Sequence, residues 1–152
     1  MINEGEMAPE FALEADDGSS VRLADLRGRR VVLFFYPKDD TSGCTKEACG
    51  FRDARPEYDA KDAEIYGVSP DGRASHEKFR DKFDLNFPLL VDADHSVADA
   101  YGAWGKKKMY GREYEGILRS TIVIDPDGRI EKIYRNVKPE GHAEEVLAEL
   151  GA

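Results

Sequence analysis

"RVVLFFYPKDDTSGCTKEAC", residues 30–49, decides how the chain is read. Its first seven residues are a continuous apolar run rich in β-branched and aromatic side chains. Such a run predicts a short strand buried on both faces. Pro37 ends it, because proline fixes φ and carries no N–H. A helix then starts near Ser42 to Thr45 and carries "KEACGFRDA". Pro56 lies further along this pattern and is expected to end or kink the helix. The corner between strand and helix holds both cysteines of the chain, Cys44 and Cys49.

Working outward, "AEIYGVS" (63–69) predicts a second strand, and "SPDG" a turn with proline in its favoured second position. "ASHEKFRDKF" (74–83) is helical, with Phe79 and Phe83 four apart on one face. "FPLLVD" (87–92) predicts a third strand, and "DHSVADAYG" (94–102) a helix closed by glycine. "RSTIVIDPDGRIEKIYR" predicts a hairpin around "DPDG". "EGHAEEVLAEL" (140–150) is an amphipathic terminal helix. Strands alternating with helices and ending in a hairpin give an α/β class: a mixed central sheet flanked by helices, the character of thioredoxin-like folds.

The chain has 152 residues and shows no internal repeat or linker, so one domain over 1–152 is expected. Lys and Arg total 22 against 31 Asp and Glu, for a net charge of −9. That balance excludes nucleic acid and anionic membrane as partners, since both need a basic face. No stretch approaches the roughly 20 apolar residues of a membrane span. "MINEGEMAPEF" lacks the basic region and apolar core of a secretory signal, so a cytoplasmic location is expected. "KKK" (106–108) is the basic run, and it reads as a solvated loop feature.

In the cytosol surplus thiols stay reduced, and disulfides there are usually transient or catalytic. Cys44 falls in the first turn of the predicted helix, where free N–H groups and a partial positive charge favour an anionic sulfur. Thr41, three residues earlier, can cap the turn or reach a ligand. Residues five apart in a regular helix have Cα atoms about 8.6 Å apart and point about 140° away from each other. A disulfide needs roughly 4.4–6.8 Å. Cys44 and Cys49 therefore bond only if that turn unwinds, and Gly50 weakens the helix there. The pattern reads as a redox switch, against the alternative of two ordinary buried small residues. A zinc site would need four ligands, and His76, His95 and His142 are scattered. A thioredoxin-type dithiol would be C-x-x-C, and here four residues intervene.

"FFYPKDDTSGCTKEACGFRD" resembles the peroxiredoxins, specifically the bacterioferritin-comigratory or Q-type branch. The family's P-x-x-x-T-x-x-C motif is matched by Pro37, Thr41 and Cys44. "YGAWGKKKMYGREYEGILRSTIVID" and "KPEGHAEEVL" are similar to the same branch. The resemblance implies a thiol peroxidase in which Cys44 attacks a peroxide and becomes a sulfenic acid. It implies that Thr41 and Arg119 hold thiolate and peroxide, and that the backbone N–H groups of Gly43 and Cys44 complete the pocket. Cys49 matches the resolving cysteine, which closes a disulfide within one chain. A thioredoxin or glutaredoxin-like dithiol then reduces it. No metal or other cofactor is implied, and the state is a monomer, with a dimer as alternative. Glu47 is shared with the family and receives no catalytic role here. Trp104 is expected in a partly buried loop. A redox sensor, a holdase chaperone and a disulfide reductase are the competing classes.

Overall fold

The protein, seen in a computed structural model, is described over residues 2–150. The elements run β1 (Ala12–Ala15), β2 (Ser20–Arg22), a 3₁₀ turn (Leu23–Leu26), β3 (Arg30–Phe35), α1 (Ser42–Ala60) and β4 (Ala63–Ser69). They continue with α2 (Arg73–Phe83), β5 (Leu89–Val91), α3 (Ser96–Ala100), β6 (Trp104–Met109) and β7 (Arg112–Ile117). β8 (Ser120–Ile124), β9 (Ile130–Tyr134) and α4 (His142–Glu149) complete the chain. Among the described residues, seven strands form one sheet in the order β2-β1-β5-β4-β3-β8-β9. β5, β4 and β3 are parallel, while β1 and β8 flank them antiparallel. The sheet is therefore mixed, as the sequence predicts.

β3 lies between β4 and β8, and its side chains alternate between two cores. Val31, Leu33 and Phe35 pack with Phe11, Leu23 and Tyr101 on one face. Val32, Phe34 and Tyr36 pack with Phe51, Tyr58, Phe79 and Val146 on the other. Burying each such side chain contributes roughly 1.5–3 kcal/mol. Burial on both faces is why this strand reads as an unbroken apolar run rather than an alternating one.

Of the two outcomes expected at Pro56, the structure rules out the helix end. α1 runs through it to Ala60 instead of ending there. A helical proline removes one N–H and leaves the carbonyl four residues earlier without its partner. Here that carbonyl belongs to Arg52, and the Asn86 side-chain amide donates to it at 3.1 Å. Arg55 donates in turn to the Asn86 carbonyl, so the segment before β5 is tied to the helix on both sides.

Other differences lie at one edge of the sheet and in a separate two-stranded hairpin. β1 and β2 pair as a short hairpin that the sequence does not announce. "KKK" and Trp104 lie on β6, in a β6–β7 hairpin rather than a loop. Its turn places Tyr110 and Gly111 at φ of 53° and 77°, as tight two-residue hairpin turns require. Asn86→Ala is expected to lower unfolding free energy by about 1 kcal/mol, because the Arg52 carbonyl loses its donor. Urea denaturation followed by circular dichroism checks this.

Candidate active site

The site is built where β3 ends and α1 begins. Phe35 pairs with Ser120 in the antiparallel β3–β8 register. Arg119, just before β8, is therefore carried to the end of β3 from which α1 starts. Cys44 is the third residue of α1, buried at 1 % exposure. Arg119 Nη2 donates to Cys44 Sγ at 3.2 Å. Its other terminal nitrogen, Nη1, donates to Glu47 Oε1 at 2.7 Å. Glu47 lies one helical turn beyond Cys44, so both point to the same side of α1. One guanidinium thus bridges the two side chains.

Gly43 makes this approach possible. A Cβ at that position would lie 3.3 Å from Arg119 Nη2 and 3.3 Å from Pro139 Cγ. Pro139, in the segment before α4, crowds Gly43 together with Arg119. Thr41 occupies the N-cap position of α1 with extended backbone. Its hydroxyl donates to the Lys38 carbonyl at 3.0 Å instead of capping a helix N–H, and the residue is exposed. Its carbonyl accepts from the Thr45 N–H. Pro37 is half-buried at the start of the loop, one residue beyond Tyr36.

Glu47 has an unusual setting. Its side chain is fully buried, and Oε2 has no hydrogen-bond partner. Burial pushes its carboxyl up to about 7, with the charge of Arg119 only partly opposing the rise. Desolvation outweighs the ion pair here, since a buried carboxylate loses more hydration than one guanidinium contact returns.

Lys107 is a neighbour that the sequence reading leaves in solvent. Strand alternation exposes Lys106 and Lys108 and leaves Lys107 half-buried. Burial and the charge of Arg119 lower its ammonium's affinity for a proton, while Cys44 opposes them. Period-two alternation within "KKK" would have singled it out, had the segment been recognised as a strand. Trp104 is half-buried and stacks on His95, with ring centroids 3.6 Å apart.

Cys49 lies further along α1, half-buried, and both cysteines are free thiols. Just beyond it, α1 meets α4: Ala143 Cβ would stand 3.6 Å from a side chain at Gly50. Tyr58 donates to the Ala143 carbonyl at 2.7 Å. The structure thus brings Cys44, Arg119, Gly43 and Glu47 into direct contact. Cys49 remains on the same helix as a separate thiol. Among the described residues, no group of His, Cys, Asp and Glu is arranged to hold a metal ion.

Comparison with known proteins meets this geometry. Residues 5–133 match the sequence profile of the AhpC/TSA family. The chain is 48 % identical over 149 residues to peroxiredoxin Bcp of Bacillus subtilis, covering 98 % of this chain and 95 % of that one. Peroxiredoxin Bcp of Escherichia coli is 41 % identical over 146 residues, covering 96 % and 94 %. Among solved structures, Xylella fastidiosa PrxQ superposes with a TM-score of 0.93 at 35 % identity, covering 98 % and 95 %. The bacterioferritin comigratory protein of Xanthomonas campestris gives 0.90 at 37 %, covering 96 % of each chain. A thioredoxin-like sheet, a cysteine at the head of α1 bonded to an arginine, and full-length likeness to these proteins agree: the chain belongs to the AhpC/TSA family, as a peroxiredoxin of the Bcp/Q type.

Proposed function

We propose that this peroxiredoxin reduces hydrogen peroxide and organic hydroperoxides through Cys44, with Cys49 as resolving thiol. The 3.2 Å bond from Arg119 to Cys44 Sγ carries this reading. A permanently charged, multi-donor guanidinium at the sulfur suits both the thiolate and the charge that moves onto the peroxide. The related Xanthomonas protein is described as reducing alkyl peroxides, which supports organic hydroperoxides as substrates.

In the first step the Cys44 thiolate attacks the terminal peroxide oxygen. The S–O bond forms as the O–O bond breaks, and the leaving oxygen takes a proton from water to give water or an alcohol. Arg119 and the N–H groups of Gly43 and Cys44 face the developing charge, and the Thr41 hydroxyl turns from Lys38 to the peroxide. In the second step the Cys49 sulfur attacks the Cys44 sulfenic acid, which releases water and leaves a disulfide. The turn between the two cysteines unwinds to allow it. A thioredoxin or glutaredoxin-like dithiol then reduces the disulfide by exchange and is itself oxidised. The cycle runs within one monomer in a reducing compartment such as the cytoplasm. Glu47 fixes the guanidinium through its second edge.

Cys44→Ser is expected to abolish peroxide consumption. Arg119→Ala should retain the fold and lower the second-order rate about 10²–10³-fold, as loss of a charge-stabilising donor does. Stopped-flow assays with circular dichroism check both, and an unchanged Arg119→Ala rate would overturn its role.

Intact mass of the reduced protein after one equivalent of hydrogen peroxide should show loss of two hydrogens on a single chain. A lasting gain of oxygen would remove Cys49 as resolver.

Glu47 also sets a pH dependence. Its native carboxyl binds a proton up to about 7, whereas the unfolded side chain gives it up near 4.5. The native state therefore holds more protons between these values, and stability falls as pH rises through that window. Glu47→Gln should flatten the fall, as measured by urea midpoints across pH.

A further inference from the structure

Beneath the loop that carries Pro37 and Thr41 lies a buried polar network that the proposed chemistry does not use. Asp39, in the middle of this loop, is only 7 % exposed. Its Oδ1 accepts from the Tyr36 hydroxyl at 2.6 Å. Its Oδ2 accepts from Ser75 Oγ at 2.8 Å and meets His76 Nδ1 at 2.7 Å. The other ring nitrogen of His76, Nε2, lies 2.8 Å from the Leu90 carbonyl. His76 is fully buried.

The partners fix the protonation of the ring. A backbone carbonyl only accepts, so Nε2 carries a proton. Asp39 already accepts from two hydroxyls, the pattern of an ionised carboxylate, so Nδ1 carries one too. These contacts are those of an imidazolium paired with Asp39 inside the protein. The titratable groups facing it are Asp39 from the loop, Tyr36 from the end of β3 and Asp71 from the turn after β4; β5 contributes the Leu90 carbonyl. Burial opposes the charge and Asp39 favours it, and the proton is held more tightly than by a free histidine.

The network reaches the reactive sulfur. Tyr36 is fully buried in the same core cluster as Cys44. Burial and Asp39 raise its affinity for its proton, and the charge of Cys44 adds in the same direction. The phenol therefore remains a donor to Asp39 beside the Cys44 pocket. Asp39 also uses its backbone N–H, which donates to Asp71 Oδ2 at 2.6 Å. A second tie, Lys82 to Asp40 at 2.8 Å, is solvent-exposed and holds the loop weakly. The buried tie is the one that can fix where residues 37–41 sit, and with them the entrance to α1.

We propose that His76 is a positioning residue for the peroxidatic centre: its imidazolium, bonded between Asp39 and the Leu90 carbonyl, pins the loop 37–41 and the Tyr36 phenol against the Cys44 pocket. The proposal rests on Cys44 being the peroxide-reactive thiol. The lock is complete below the ordinary histidine value of 6.5 and loosens as pH rises through the higher native value. Above that value the ring keeps a single proton, so one of its two contacts, to Asp39 or to the Leu90 carbonyl, loses its hydrogen bond.

His76→Asn, which keeps a polar group but no charge, is the test. The rate of the reduced variant with hydrogen peroxide is measured by stopped flow and expressed per thiolate, read from absorbance at 240 nm. At about pH 6 it should be roughly tenfold below wild type, the cost of a slightly misplaced reacting group. The ratio should close as pH rises, and comparison at each pH cancels the titration of Glu47. A rate within twofold of wild type, or a deficit that ignores pH, overturns the proposal. Should this variant not fold, His76→Gln, which is likewise polar and uncharged, replaces it, and an unchanged rate there overturns the proposal equally. Nitrogen-15 chemical shifts of the His76 ring in wild type should show both nitrogens protonated at about pH 6. A neutral ring overturns the proposal whatever the activity. A wild-type protein that ignores peroxide instead strikes the proposed function, and the two failures are thereby distinguished.

Discussion

The contact between Arg119 and Cys44 depends on four separate features of the chain, and the rest of the site is arranged around it. The β3–β8 register carries Arg119 to the end of β3. The start of α1 places the sulfur there. Gly43 leaves room for the guanidinium, and Glu47 holds its far edge. Each is a constraint on position rather than a source of chemistry. A charge taken out of water is costly unless it meets a well-placed opposite charge. Arg119 meets two acceptors, one of which is the sulfur proposed to react.

α1 is anchored unevenly, and the unevenness suits the proposed cycle. Phe51 stacks on Phe34 with ring centroids 4.8 Å apart, and Tyr58 is bonded to α4. Asn86 repairs the break at Pro56. Residues from Phe51 onward are thus tied to the sheet and to α4. The first turns pack through Cys44 and Ala48 in the same core and are bonded to Arg119 through Cys44 and Glu47. In the proposed cycle, oxidation of Cys44 changes the acceptor that Arg119 meets at the sulfur, while the bond from Arg119 to Glu47 remains. The segment from Phe51 onward keeps its ties.

The loop between β3 and α1 has a double function in this arrangement. Its outer face presents Thr41 to solvent, while its inner face is held by Asp39 and His76. Buried polar networks of this kind favour one geometry, because any displacement leaves donors and acceptors unpaired away from water. Under the proposed function, chemistry on one side of this short loop and rigidity on the other hold Cys44 at the edge of a core.

Much of this was legible in the chain before any coordinates. The unbroken run from Arg30 to Phe35 announces a strand buried on both faces, and the apolar patterns that follow announce α/β layers. The P-x-x-x-T-x-x-C motif marks Cys44, and the stretch ending in "RSTIVID" marks Arg119. Local patterns carry such information because strand burial, turn chemistry and helix starts are decided by neighbours in sequence. Tertiary structure alone decided the rest. Pro56 reads as a helix end or kink because its lost hydrogen bond is local, while the compensating Asn86 lies thirty residues away. Glu47 receives no role from the sequence, and only packing buries it against Arg119. His76 reads as one of three scattered histidines, until α2 folds against the loop and makes it the partner of Asp39. Burial and long-range pairing set these outcomes, and neither is written in the spacing of residues along the chain.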